Sequence, residues 1–395
     1  MEANSLKYFS CTLLFFVALY SCNTKEKGSG DEPNQGVKSA SFETIDSIKV
    51  DFLGMPAVQD IDPISKTLIF LDDKVYSQDI YIADFDGEIL NSFSKFGDMP
   101  DNYGGLRAPL KIIGKNEILA YGIHGFFKYD FSGKNRLQVR HEFDLLNRYS
   151  INNMGTGMEE KNEQFLYLNS IDPKLKKNDL QFYDEINLLT WMYPKRGEKE
   201  QIVKFPESSL FKNGKFFYRD SWSPVYTLSE DLVYVIFGME PVIYMYSSSS
   251  PYELLNFISL DLPGYQYFKG SDIYNDGFEI EGLYSKYGRI INLKKVNGYF
   301  LVCYFPGYDS ADREEGRSNK TLEEKKSFNK RMEKKYPYQT AVFDSLGNFI
   351  DNIHSDKLVL SSLVIRNNEL WMKEKFDTEI ERDYFRLFRV ALKLE

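Results

Sequence analysis

The feature that most limits what this chain can fold into is a short turn that recurs between apolar runs. Ile80-Tyr81-Ile82-Ala83 runs into Asp84-Phe85-Asp86-Gly87 and out through Ile89-Leu90. Phe126-Phe127-Lys128-Tyr129 runs into Asp130-Phe131-Ser132-Gly133 and leaves through Leu137, Val139, His141 and Phe143, every second residue. Ala341-Val342-Phe343 runs into Asp344-Ser345-Leu346-Gly347 and leaves through Phe349-Ile350. Each reads as strand, Asp-x-x-Gly turn, strand. The Asp carboxylate can accept from its own turn backbone, and Gly takes the positive φ that closes the hairpin. The turn lacks the spaced carboxylates of a calcium loop, so it is read as a hairpin device.

The hairpins recur at a length that matters. Asp84 and Asp130 are 46 residues apart, and looser turns fall near Lys195-Arg196-Gly197 and between Ser247 and Pro251. Helical periodicity is scarce. Four-stranded units of ~40–50 residues repeated around an axis make a β-propeller. Six units parse, at about residues 57–93, 106–144, 151–205, 216–260, 285–354 and 358–395. The alternating run Phe42 to Val50 precedes the first unit and is expected to supply the outer strand of the last, removing an exposed edge. The expectation is an all-β, six-bladed propeller; a pair of β-sandwiches is the competing all-β arrangement.

One insertion departs from the strand pattern, near residues 311–336. Thr321-Leu322-Glu323-Glu324 has the form of a capping box. Phe328, Met332 and Tyr336 follow at spacings of four and give one apolar stripe, and Pro337 stops the helix. The charged helix is expected either to lie against a blade as a solvated face or to serve as a docking element.

The N-terminus speaks about address. Lys7 leads into an apolar run, Cys11 to Tyr20, about half the ~20 residues that a spanning helix needs. Leu19-Tyr20-Ser21-Cys22 resembles a lipobox, in which the cysteine is acylated and the preceding segment removed. Residues 1–21 are expected to be a lipoprotein signal peptide, and Cys22 the acylated N-terminus. Residues 22–40 lack large apolar side chains in their first part and read as a flexible tether, with the propeller at 41–395. The other reading is an ordinary signal peptide with an incidental cysteine. The cell envelope follows as location, periplasmic or at the outer-membrane surface, with the membrane as a partner through lipid on Cys22.

Composition narrows the partners. The chain is 43% hydrophobic, with 28 Tyr and 31 Phe but 3 Trp, a balance that favours strands and partner-facing surfaces. A net charge of −9 excludes nucleic acid, whose phosphates demand basic patches. Cys303 lies in the apolar run Tyr299 to Phe305 and reads as a core thiol without a disulfide mate.

No catalytic constellation emerges. His124, His141 and His354 show no metal-ligand spacing, and there is no nucleophile elbow or phosphate-binding glycine loop. No cofactor and no metal are expected. Carboxylates are plentiful, and a pair could serve glycoside chemistry. In a propeller the loops entering the innermost strands form one rim, which puts Arg107, Asn153, Arg219, Trp222 and Arg289 near it. Three arginines there could grip an anionic group by bidentate hydrogen bonds, or else could bond neighbouring carbonyls and hold blades together.

With these features together, the chain resembles the TolB-like six-bladed propeller lipoproteins of Bacteroidetes, and within them domain-of-unknown-function family 4221. The resemblance rests on the lipobox, the blade count and two stretches. One is Phe96 to Gly105, similar to the Gly/Pro-rich loop after the first blade but without its usual Gly-Pro-Gly-Glu core. The other is the final unit, Leu370-Trp371-Met372 through Tyr384 to Arg389. It implies a fold over most of the chain and transfers no catalytic residue and no settled activity.

The function expected is a lipid-anchored, non-enzymatic binding or scaffold module that takes a protein or glycan at the propeller rim. The alternative is an envelope enzyme, a glycan hydrolase or lyase, working at the channel mouth. A structural subunit of a transport complex is a third possibility.

Overall fold

The computed structural model describes residues 39–72, 78–140, 153–169, 171–172, 174–218, 221–275, 285–318, 320–376 and 382–395, all within one compact unit that spans 33–395. Cys22, Arg219 and His141 lie outside the described residues.

Six four-stranded antiparallel sheets form the blades of a propeller. The first strand in the chain, β1 (Ala40–Asp51), belongs to the last blade. Blade 1 is β2 (Pro56–Asp62), β3 (Thr67–Asp72), β4 (Asp79–Asp84) and β5 (Ile89–Ser94). Blade 2 is β6 (Lys111–Ile113), β7 (Glu117–Gly122), β8 (Gly125–Asp130) and β9 (Asn135–Arg140). Blade 3 is β10 (Glu159–Lys161), β11 (Gln164–Leu168), β12 (Leu189–Tyr193) and β13 (Glu198–Ile202). Blade 4 is β14 (Pro224–Ser229), β15 (Leu232–Phe237), β16 (Val242–Ser247) and β17 (Leu254–Ser259). Blade 5 is β18 (Arg289–Val296), β19 (Tyr299–Phe305), β20 (Gln339–Phe343) and β21 (Phe349–Ile353). Blade 6 is β22 (Val364–Arg366), β23 (Glu369–Lys373) and β24 (Tyr384–Leu394), closed by β1. All six expected units contain an observed blade, and the two-sandwich alternative falls away.

Closure follows the expectation for Phe42 to Val50. β1 pairs with β24 from Ala40 opposite Leu394 to Asp51 opposite Tyr384, with one bulge between Thr44 and Asp46. Arg389 clamps Asp46 through Nη2 at 2.6 Å and Nε at 3.2 Å. The last blade therefore joins both ends of the propeller.

The core is divided among the gaps between blades. One apolar cluster packs blade 1 on blade 2 through Ile69, Ile80, Ile118 and Phe127. Others join blades 2 and 3 (Tyr121, Phe126, Tyr167), 3 and 4 (Leu166, Trp191, Val233, Phe237), and 4 and 5 (Ile236, Ile243, Leu293, Val302). Two more join blades 5 and 6 (Leu301, Val342, Met372, Phe388) and blades 6 and 1 (Val50, Phe70, Trp371, Leu387). Middle strands serve two gaps at once, so they are apolar on both faces, as in Leu68-Ile69-Phe70-Leu71. Each large apolar side chain fully buried there contributes about 1.5–3 kcal/mol. Cys303 sits on β19 in this core, and burial pushes its thiol up to about 12.

The Asp-x-x-Gly turns are built as their residues require. Asp84 Oδ1 accepts from Asp86 N at 3.0 Å and Glu88 N at 2.9 Å, while Gly87 takes φ +90°. Asp130 and Asp344 repeat the pattern with Gly133 at +82° and Gly347 at +86°. These turns join the third strand to the fourth in blades 1, 2 and 5.

The insertion between β19 and β20 is a pair of helices rather than one. After a short α1 in blade 3 (Phe182–Glu185), the insertion carries α2 (Ser310–Glu315) and α3 (Leu322–Lys335). Thr321 and Glu324 form the expected capping box, with Glu324 Oε2 accepting from Thr321 N at 2.7 Å. Phe328 and Met332 are buried. Tyr336 lies past the helix end, where its hydroxyl donates to Asp312 at 2.6 Å. Among the described residues no helix is long and apolar enough to cross a membrane.

Candidate functional site: the charged central cavity

The innermost strands bring charge to the axis of the propeller. A cavity of about 360 Å³ opens there and draws its wall from all six blades. Blade 1 gives Gln59 and Asp60, blade 2 Lys111, blade 3 Glu159, blade 4 Thr227, blade 5 Lys294 and blade 6 Arg366. A bulge in β2 shifts the register between Val58 and Asp60, which lets consecutive residues Gln59 and Asp60 both reach the wall.

Asp60 and Arg366 form the first charged group. Arg366 Nε donates to Asp60 Oδ1 at 3.0 Å and its Nη2 donates to Oδ2. Asp60 Oδ2 also accepts from Ile112 N at 2.7 Å, and Gln59 Oε1 accepts from Leu110 N at 3.1 Å. Blades 6, 1 and 2 are thus tied at one carboxylate. Burial works against the Arg366 charge, but Asp60 outweighs it and holds the guanidinium above its ordinary value.

Lys111, Glu159 and Lys294 form the second. Lys111 Nζ donates to Met158 O at 3.0 Å and Lys294 Nζ to Gly155 O at 2.5 Å. Glu159 lies between them, its oxygens 4.0 Å from Lys111 Nζ and 3.6 Å from Lys294 Nζ. Those separations attract without making a hydrogen bond. The side chains are only 12% and 5% exposed for Lys111 and Lys294. Burial, with Arg366 adding repulsion, pushes Lys111 down to about 8 against the pull of Glu159, Asp60 and Glu160. Burial lowers Lys294 in the same way, and Glu159 opposes it. The neighbouring Lys295 donates to Tyr234 Oη at 2.8 Å. Among the described residues no group of three His, Cys, Asp or Glu is placed to hold a metal ion.

No family model matches the chain, and no curated protein matches it in sequence. Comparison with solved structures decides the fold. A member of family 4221 from Bacteroides vulgatus superposes with a TM-score of 0.62 over 91% of this chain and 100% of its own, at 11% identity. The fold is shared with a solved member of domain-of-unknown-function family 4221. At that identity the likeness speaks for architecture alone. A Bacteroides fragilis protein described as exported matches 90% of this chain and 95% of its own, with a TM-score of 0.48 and 12% identity. A gluconolactonase from Xanthomonas campestris matches 88% of this chain and 99% of its own, with a TM-score of 0.42 and 9% identity. Scores of that size carry nothing about chemistry.

Against this family 4221 fold, the rim residues expected from sequence are spread out. Arg289 opens β18, donates to Ser285 O at 3.0 Å and Tyr338 Oη at 2.8 Å, and lies over the Phe305 ring. Arg107 precedes β6; its backbone N–H bonds Tyr121 O at 2.8 Å and its Nε is buried without a hydrogen-bond partner. Asn153 offers its carbonyl to Thr156 Oγ1 at 2.8 Å. Trp222 is buried against Phe182 and Tyr183. None of these four lines the central cavity. His124 is half-buried, with Nδ1 3.0 Å from Asn102 O, and His354 is exposed.

The residues that do meet in the cavity were missed by a search for motifs. Their signal is a charge that interrupts the apolar first strand of a unit: Asp60 before Ile61, Lys111 before Ile112, Lys294 after Leu293, Arg366 after Ile365. A strand that buries such a residue is facing something other than the core.

Proposed function

We propose that this chain is an exported lipoprotein of the TolB-like, family 4221 kind, acylated at Cys22, whose propeller binds a small polar ligand in the central cavity without transforming it. The membrane is its partner through the lipid, and a larger envelope protein or glycan is reached through the same face. The observation that carries the reading is the cavity wall itself: six blades converge on one polar chamber, at the lower end of the ~300–1,000 Å³ usual for small-molecule sites. Its two acids, Asp60 and Glu159, are each attended by cations, which suits holding a ligand rather than passing a proton to one. The lipobox at Leu19 to Cys22 supports the anchor.

The test uses heat stability. A metabolite extract of the cell envelope raises the Tm of the wild type, because a ligand that binds only the folded state stabilises it. Ser229→Trp, which fills the cavity, abolishes the rise. The compound recovered from the protein has the same mass as the compound supplied. An unmoved Tm, a rise equal in Ser229→Trp, or a chemically altered compound contradicts the proposal. Growth on an alkyne fatty acid labels the wild type and leaves Cys22→Ser unlabelled; equal labelling removes the anchor.

A further inference from the structure

We propose that Lys111 and Lys294 together bind the carboxylate of a small hydroxylated acid, a sugar acid, in the central cavity. The inference rests on the reading of that cavity as a ligand site and adds the chemical class. It begins with a charge count. Three cations, the buried Lys294 and the partly buried Lys111 and Arg366, share the wall with two acids, Asp60 and Glu159. Arg366 and Asp60 cancel in a two-point pair. Two ammonium groups then divide one carboxylate, which leaves one positive charge over. Lys295 and the exposed Glu160 add one charge of each sign to the lining.

Hydrogen bonding points the same way. An ammonium has three N–H groups. Lys111 and Lys294 each give one to a backbone carbonyl, Met158 and Gly155, and Glu159 stands 4.0 Å from the first and 3.6 Å from the second. Each keeps donors for an acceptor from outside the chain. A single carboxylate placed against both supplies the missing acceptors and the missing negative charge. A doubly charged phosphate would overshoot that charge.

Size and lining decide the rest of the ligand. A chamber of about 360 Å³ holds something of the order of a single sugar ring. Thr227, Ser229 and Asn368 line it with hydroxyl and amide groups that match ring hydroxyls and give no reward to an alkyl chain.

Calorimetric titration of the purified protein at pH 7 with D-glucuronate, D-glucose, acetate and inorganic phosphate tests this. D-Glucuronate is expected to bind at least tenfold more tightly than the other three. Lys294→Met weakens it at least tenfold. Glu159→Gln removes the competing carboxylate and tightens it about tenfold, a gain that a misfolded variant cannot imitate. Affinity falls as the pH rises past about 8, where Lys111 loses its proton among Arg366, Glu159, Asp60, Glu160 and Lys294. Equal binding of D-glucose, or tighter binding of phosphate, overturns the sugar-acid assignment. Weaker binding in Glu159→Gln also overturns it. If none of the four binds while the envelope extract still raises the Tm through the cavity, this assignment falls and the ligand site stands; if the extract also fails, both fall.

Discussion

The two charged groups of the central cavity are built in opposite ways. Asp60 and Arg366 meet face to face, and the same carboxylate takes a backbone N–H from Ile112. Both oxygens of that carboxylate are met by donors, and three blades are fixed by it. Lys111, Glu159 and Lys294 stand 3.6–4.0 Å apart, each lysine bonded to one carbonyl. The lesson is that a buried charge can be a bolt or a receptor, and whether acid and base bond each other directly tells them apart. A directly bonded pair has neutralised its own charge. A pair held apart is a standing cost to the fold that a ligand can reduce.

Asp60→Asn breaks this comparison most severely if the comparison is wrong. It strips the buried Arg366 of its counter-charge, and a loss of about 3–5 kcal/mol in urea unfolding is expected. A loss below ~1 kcal/mol would mean that the pair is no bolt.

Lys111 supplies the next largest effect, through pH. Its folded value of about 8 lies below the ordinary 10.5, so between those values the unfolded chain carries more protons than the folded one. Stability therefore rises with pH across that window, by up to about 3 kcal/mol from this residue. Lys373, also pushed down to about 8 by burial, adds a parallel rise. Lys111→Met is expected to lose the Lys111 share and keep the rest, as urea unfolding at pH 7.5 and pH 10.5 would reveal. An unchanged pH dependence in Lys111→Met counts against a buried, cost-bearing lysine.

Glu159→Gln is expected to cost about 1 kcal/mol, much less than Asp60→Asn, because Lys111 can shed its proton in reply. A cost matching Asp60→Asn would make both groups bolts. Smallest of all is Arg331→Ala, at the exposed pair with Glu315 on the helical insertion, where no measurable change is expected. A clear loss there would show that direct pairing, without burial, is enough.

How far the sequence was legible depended on the distance over which a residue's partner lies. Asp84, Asp130 and Asp344 bond backbone two and four residues on, so their turns can be read locally, and the blades follow from them. The alternation of Phe42 to Val50 has only one edge in the last unit to complete, β24. The capping box of Thr321 and Glu324 is equally local. The second helix of that insertion was not foreseen, because α2 has six residues and no buried one. The cavity lies at the other extreme. Asp60 meets Arg366 from 306 positions away, and Lys294 meets Gly155 from 139. No spacing rule reaches that far. Arg107 was placed at a strand entry on the expectation of a unit beginning near 106, whereas β6 begins at Lys111. The charge at the axis is therefore borne by a residue four positions later. Trp222 read as a rim aromatic, but the loops around Phe182 and Phe211 close over it.

The most direct measurement is nitrogen-15 NMR of the Lys111 ammonium in the wild type, titrated with and without D-glucuronate. Alone, Lys111 is expected to titrate near pH 8, set by burial and by Arg366. With the acid bound, a carboxylate at its donors should move the midpoint up by about one pH unit or more. A midpoint near its ordinary 10.5 in the free protein, or one that stays put when D-glucuronate is added, would contradict the division of this cavity into a bolt and a receptor.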